Sequence, residues 1–230
     1  MENRVVLYLM RHGETILNRA ERVQGWCDGV LTEKGIDVAK SAGIGLSDIE
    51  FKSIYTSDLR RTIKTAKIVM EENRLSKDLK ICEMEELREA YFGKYEGELE
   101  EVFLNDMLNY LNINSFEKLI EKSNAQREFV NTCAALDETK KAENYDVLIK
   151  RAMRGLTNIV KEQEKKGGGN VLVVMHGGIL RVIIEHIDSS FNTRDVDNAS
   201  ISKVIYKDGI FKVESVNDMS YCEKGQLVGV

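Results

Sequence analysis

The chain has 230 residues and no proline, where average usage would supply roughly eleven or twelve; polyproline linkers, PxxP ligands and collagen-like repeats are thereby excluded. Lysine and arginine number 33 against 38 aspartate and glutamate, a net charge of −5 that gives no whole-protein attraction to nucleic acid or to an anionic membrane. No stretch approaches the length of about 18 apolar residues that a transmembrane helix needs, and the four scattered cysteines, Cys27, Cys82, Cys133 and Cys222, form neither a CxxC pair nor a dense disulfide framework.

In chain order, VVLYLM (Val5–Met10) is a short apolar run that stops at a charged, glycine-containing turn, as a buried strand feeding a functional loop does. The opening MENRVVLYLMRHGE lacks the longer apolar stretch of a signal peptide, so a cytoplasmic location is expected. Thr32 is a candidate N-cap with Glu33 in the first turn behind it. SIYTS (Ser53–Ser57) reads as a second strand, and a helix is expected from Asp58, with Leu59, Ile63, Ala66 and Met70 at helical spacing. Leu79–Met84 is a weaker strand candidate. From about 98 to 144 the chain is polar and helix-prone, with apolar positions for two or three short amphipathic helices. This segment is either helical decoration of the core or a cap over a site, and we take it as a helical cap insertion within a single domain spanning 1–230.

Leu148, Ile149, Ala152, Leu156, Ile159 and Val160 then draw one stripe on a long helix that Gly167-Gly168-Gly169 stops. NVLVVM (Asn170–Met175) is the clearest strand, and the helix GILRVIIEHI follows it. Ser202–Tyr206 and Phe211–Val216 flank Lys207-Asp208-Gly209, whose Asp-Gly is a hairpin signal. Strand–helix alternation with a terminal hairpin predicts an α/β three-layer sandwich: a mostly parallel central sheet with helices on both faces.

Two strands end alike, VVLYLM in Arg11-His12-Gly13 and NVLVVM in His176-Gly177-Gly178. In parallel α/β sheets ligands bind beyond the carboxyl ends of the strands, so if these two are neighbours both imidazoles meet at one place beside Arg11. A metal site would want a further ligand, and Arg11 would repel a cation; a serine nucleophile would want a GxSxG elbow, which is absent. Arginine with imidazole suits phosphate, whose oxygens match a guanidinium bidentately. SIYTS duly runs into Arg60-Arg61. Neighbouring arginines should favour neutral histidine, which is the nucleophilic form.

RHGET at 11–15, SDLRRTIKTA at 57–66, LREAYFGKYEG at 87–97 and MHGGILR at 175–181 together resemble the histidine phosphatase superfamily, which includes the cofactor-dependent phosphoglycerate mutases. The resemblance implies that His12 is the nucleophile and forms a transient phosphohistidine. It also implies that Arg11, Arg61 (rather than Arg60), His176 and Asn18 surround the phosphate, and that Gln24, Gly25 and Gly177 lie on the substrate side. Glu89 would be the general acid and base. By residue type alone Glu83, Glu85 and Glu86 are equally eligible, and only the motif selects Glu89. No metal and no cofactor are implied, and the partner would be a small-molecule phosphomonoester.

Within the superfamily, the mutases carry a proline-containing RRSxDxxPP-like segment before the long helix, where this chain reads KSNAQREFVNTCAALDETKK. Phe92 stands where the mutase pattern has tyrosine, and FGKYEG resembles the phosphatase FGxWEG. Phosphomonoester hydrolysis is therefore expected over mutase activity. A non-catalytic phosphate-binding member would be expected to lack the nucleophile or the acid, and this chain has both. The identity of the phosphomonoester and the oligomeric state are not legible in the sequence.

Overall fold

The apolar runs at 5–10 and 171–175 carry hydrophobic side chains at successive positions, as strands buried on two sides do. In the computed structural model, which describes residues 4–122, 124–191, 193–194 and 196–228, they become β1 (Val5–Arg11) and β4 (Gly169–Met175). These are parallel neighbours at the centre of a six-stranded sheet. β2 (Phe51–Thr56) and β3 (Ile81–Glu83) extend it in parallel beyond β4. On the other side β5 (Ile201–Lys207) and β6 (Ile210–Asp218) add antiparallel, giving the order β3-β2-β4-β1-β5-β6. Lys207 pairs with Ile210 across Asp208-Gly209, whose φ angles of 53° and 84° are the left-handed pair that a type I′ hairpin requires.

Between the strands run α1 (Ile16–Arg19), α2 (Glu33–Gly45), α3 (Arg60–Glu72), α4 (Glu100–Leu111), α5 (Phe116–Ile120), α6 (Ala125–Leu136), α7 (Tyr145–Lys165) and α8 (Gly177–Ile187). The chain closes on α9 (Ser220–Val228). Thr32 caps α2 as expected, its hydroxyl accepting the Gly35 N–H at 3.0 Å. α3 starts at Arg60, two residues later than predicted, because the Asp58 carboxylate is taken by Arg88 (Nε–Oδ1 2.7 Å) and cannot serve as a cap. α1 and α9 carried no sequence signal strong enough to be read. α9 buries only Cys222 and Gly225.

The strand pleat divides the core in two. Leu7, Leu9, Val171, Val173 and Met175 point to one face, where Leu148, Leu156, Ile179 and Ile183 of α7 and α8 pack on them. Tyr8, Met10, Ile54, Leu172 and Val174 point to the other, against Ala42 of α2, Ala66 and Val69 of α3 and Cys222 of α9. Among the described residues, α4, α5 and α6 occupy the 98–144 region, and through Phe103, Met107, Leu119, Val130 and Cys133 that region shares one apolar cluster with α7 and α8.

The α2–α9 contact is a close one. A methyl group at Gly225 would lie 1.8 Å from the Ser41 carbonyl oxygen, and one at Gly45 would lie 1.9 Å from that of Tyr221. Backbone cannot move aside as a side chain does, so Gly225→Ala is expected to destabilise by about 1–3 kcal/mol, the range of overpacked cores. In a thermal melt that is a fall of several degrees. An unchanged midpoint would show that α9 is not clamped on α2.

Candidate active site

β1 and β4 run in register with Arg11 opposite Met175, and the His12 N–H donates to the Met175 carbonyl at 3.0 Å. Each strand then delivers one histidine at its carboxyl end. The two rings meet nearly edge to face, with centroids 5.3 Å apart, and both are buried. The turn carrying His12 is fixed from three sides. The Gly13 N–H donates to Thr65 Oγ1 (3.0 Å), Asn198 Nδ2 donates to the His12 carbonyl (3.0 Å), and the Arg11 backbone exchanges hydrogen bonds with Ser200 and Ala199.

Arg61, in the first turn of α3, lies between the histidines. Its Nε is 3.3 Å from His12 Nε2 and 3.1 Å from His176 Nδ1. An N–H donor requires a lone pair on each ring nitrogen it faces, and this sets both tautomers. His12 Nδ1 lies 2.8 Å from the Gly13 carbonyl and carries the proton, leaving Nε2 with its lone pair in the site. His176 carries its proton on Nε2, 2.8 Å from Ser57 Oγ, which in turn meets Thr62 Oγ1 at 2.8 Å. The remaining Arg61 nitrogens hold the 25–28 loop: Nη2 donates to the Gly25 carbonyl (2.6 Å), and Nη1 to the Cys27 carbonyl (2.9 Å) and Asp28 (3.1 Å). Arg60, by contrast, is exposed, and its N–H donates to Asp28.

Arg11 reaches the same place from β1. Its Nη1 donates to the Val196 carbonyl at 2.6 Å, and a methyl group at Gly177 would lie 3.1 Å from its Nε. That Nε and Gln24 Nε2 are buried donors without an acceptor among the described residues. The Glu89 carboxylate lies at the N-terminus of α8: Oε1 accepts from Ala90 N (2.8 Å) and Ile179 N (2.7 Å), and Oε2 from Gly178 N (2.7 Å). It is 5% exposed, whereas Glu83 and Glu85 are solvent-exposed and Glu86 meets Arg154. Of these four glutamates, Glu89 is the one buried at the N-terminus of α8.

Asn18 and Gln24 are placed differently from the rest. Asn18 Oδ1 accepts from the Thr15 N–H in the capping box that starts α1, and the Thr15 hydroxyl lies 2.7 Å from Gln24 Oε1. No hydrogen bond among the described residues joins either to the histidine pair. Further residues meet here, among them Trp26 and Tyr91, which the sequence leaves open between packing and lining a pocket. Trp26 Nε1 donates to the Glu89 carbonyl (2.9 Å), and its ring meets that of Tyr91 at a tilt (centroids 5.0 Å apart, 47°) with the Arg88 guanidinium 4.7 Å from the indole centroid. Ser57, Thr62 and Thr65 lie within the SDLRRTIKTA block and Asn198 beyond α8, and their contacts around the histidines appear only in the structure. Beside Gly178, a narrow chamber lined by Phe116, Leu119, Phe129 and Arg181 runs under α5 and α6. No group of three or more His, Cys, Asp or Glu side chains suited to a metal ion occurs among the described residues.

Burial first, then the Arg61 and Arg11 charges, hold His12 well below the usual histidine range. His176 is held down in the same way, by burial, Arg61, His12, Arg151 and Arg11. The unfolded chain therefore binds protons that the folded one refuses. This contribution to stability is complete above the unfolded value of about 6.5 and is lost as pH falls below it, by up to about 1.4 kcal/mol per pH unit for each histidine. Urea unfolding between pH 7.5 and 5.5 is expected to lose less stability in His176→Asn than in the unsubstituted chain. Parallel pH profiles would contradict the neutral pair.

Residues 7–219 match the histidine phosphatase superfamily (branch 1). The crystal structure of a phosphoglycerate mutase from Bacillus anthracis str. Sterne superposes with a TM-score of 0.93 at 43% identity, over 98% of each chain. A 2,3-bisphosphoglycerate-dependent phosphoglycerate mutase of Streptococcus thermophilus is 32% identical over 80% of this chain and 84% of its own length. A metal-independent phosphoserine phosphatase of Arabidopsis thaliana is 28% identical over 94% of this chain and 82% of its own. With two strand-end histidines around a buried arginine, and a family match that spans nearly its whole length, the chain belongs to the histidine phosphatase superfamily, branch 1, and is an enzyme of the phosphatase class.

Proposed function

We propose that the chain hydrolyses small phosphomonoesters without a metal, through a phosphohistidine on His12 with Glu89 as general acid and base. The observation that carries this reading is the orientation of His12: Nδ1 is committed to the Gly13 carbonyl, so the free lone pair is on Nε2, facing Arg61 and His176. The Nε2 lone pair attacks phosphorus, the P–O ester bond breaks, and the leaving oxygen takes a proton from Glu89. Water then gives a proton to Glu89 and attacks the phosphohistidine; the P–N bond breaks, releasing phosphate and restoring the lone pair on Nε2. Of the two Glu89 oxygens, Oε1 already accepts two N–H groups and Oε2 only one, so the proton has its place on Oε2.

Charge spread over the transferring phosphoryl oxygens is stabilised by donors fixed in advance. Arg61 and the unsatisfied Arg11 Nε supply them, and we assign Arg11, Arg61 and His176 to the phosphate. The family pattern adds Asn18 to the phosphate set and puts Gln24, Gly25 and Gly177 on the substrate side, with Gln24 Nε2 a second waiting donor. Two guanidinium groups beside neutral imidazoles repel a cation, which supports metal independence. The substrate class follows that of the Arabidopsis relative, a small phosphorylated metabolite. Hydrolysis of 4-nitrophenyl phosphate is expected at equal rates with and without EDTA and is expected to be lost in His12→Ala. Loss with chelator would refute metal independence, and turnover by His12→Ala would refute the nucleophile.

One observation favours a second reading, phosphoglycerate mutase: the 43% identity and 0.93 TM-score to a solved protein of that name. Hydrolysis is preferred because the mutase proline segment is missing, and because Phe92, at 9% exposure, packs edge-on to Phe103 where the mutase pattern has a tyrosine. Incubation with 3-phosphoglycerate is expected to release phosphate faster than it forms 2-phosphoglycerate. Faster isomerisation would establish the mutase.

A further inference from the structure

β3 ends at Glu83, and the chain must then cross the carboxyl end of the sheet to bring Glu89 to the histidines. It does so as one turn of 3-10 helix (Glu85–Leu87) followed by irregular chain, so most of its carbonyls have no ladder to join. One side chain takes them over. Arg151, on α7, donates from Nη1 to the carbonyls of Glu86 (2.9 Å) and Arg88 (2.8 Å), and from Nη2 to that of Glu89 (3.1 Å). Glu143, just ahead of α7, fixes the guanidinium through Nε (2.9 Å) and Nη2 (2.6 Å), with both side chains little exposed. The same glutamate brackets Tyr91: its carboxylate accepts the Tyr91 N–H (3.1 Å), and its own N–H donates to the Tyr91 carbonyl (2.9 Å). The backbone on either side of Glu89 is thus tied to α7, while its carboxylate is tied to α8.

We propose that Arg151, held by Glu143, is a positioning residue for Glu89: it fixes the backbone from which the acid reaches the leaving oxygen, and it does not touch the substrate. The proposal rests on the reading of Glu89 as general acid. A planar five-donor fork can serve three carbonyls and a carboxylate together; an ammonium on a flexible stem cannot hold that geometry. A misplacement of about 1 Å far from the reacting atoms can cost on the order of 10²-fold in rate. Such a loss has a signature that general destabilisation lacks. Proton donation matters for an alkoxide leaving group and little for nitrophenolate, which departs unaided.

The test measures kcat/KM for 4-nitrophenyl phosphate and for glycerol phosphate, an unactivated alkyl ester, in Arg151→Lys, Arg151→Met, Glu89→Gln and the Arg151→Met/Glu89→Gln double variant. Arg151→Met is expected to lose at least ~10-fold more on the alkyl ester than on the aryl ester, within the 10²- to 10⁴-fold worth of a general acid, with Arg151→Lys between it and the unsubstituted enzyme. Placed on Glu89→Gln, the same substitution is expected to remove less than ~3-fold more alkyl-ester activity, because groups acting as a unit are not additive. Equal losses on both esters, no loss on either, or full additivity in the double variant would each overturn the proposal. Arg151→Lys carries the ester comparison if Arg151→Met does not fold. Should Glu89→Gln itself fail to discriminate the esters, the general-acid reading falls and takes the proposal with it, and the Glu89→Gln result alone identifies that case.

Discussion

Arg61 is buried to 1% exposure, and a guanidinium taken out of water is tolerated only where each of its nitrogens finds an acceptor. Here Nε faces two imidazole nitrogens, Nη1 the Cys27 carbonyl and Asp28, and Nη2 the Gly25 carbonyl. That demand shapes its surroundings. It requires both histidines to be neutral and to turn a lone pair inward, which sends the His12 proton to Gly13 and the His176 proton to Ser57. It draws the 25–28 loop over the strand ends, where Trp26 reaches the Glu89 carbonyl. Burial and the cation then act together on the imidazoles, keeping them deprotonated through the neutral range.

The fold brings this about by simple means. Placing β1 beside β4 in parallel register puts two strand ends, and hence two histidines, together at the carboxyl end of the sheet. β2, paired to the other side of β4, delivers Ser57 and then α3 with Arg61. Helices on both faces keep water from the sheet, so the charges meet in a medium where they act strongly. Glu89 comes from irregular chain, its backbone held by the Arg151 side chain of α7 and its carboxylate by the Gly178 and Ile179 N–H groups at the start of α8. The two halves of the proposed catalytic apparatus therefore differ in what supports them: the histidine side rests on strand pairing, the Glu89 side on Arg151 and Glu143.

How much of this was legible in the sequence follows from the same distinction. VVLYLM and NVLVVM are strands whatever surrounds them, so the sheet, its parallel character and the meeting of His12 with His176 could be anticipated from apolar runs ending in histidine and glycine. The Asp208-Gly209 turn was equally plain, because left-handed φ angles are a property of a few residue types. The start of α3 was not, since the Asp58 side chain had two roles open to it and a long-range arginine, Arg88, decided between them. α9 went unseen because its buried face is a glycine and a cysteine fitted against backbone, which leaves no hydrophobic stripe. Arg151 and Glu143 look like solvated charges on a helix and its lead-in; nothing local says that one will collect the carbonyls of residues about sixty positions away. Glu89 needed the family motif to be chosen among four glutamates, and its burial at the N-terminus of α8 supplies the physical reason afterwards.

The central claim is that His12 is a neutral imidazole with its proton on Nδ1 and its lone pair on Nε2. Side-chain ¹⁵N–¹H correlation spectra of the ¹⁵N-labelled protein at pH 7, with the three histidines assigned by single substitutions, test it directly. The expected result is a His12 pattern with a protonated Nδ1 and an unprotonated Nε2 that persists well below pH 6.5. A proton on Nε2, or an imidazolium at neutral pH, would contradict the account.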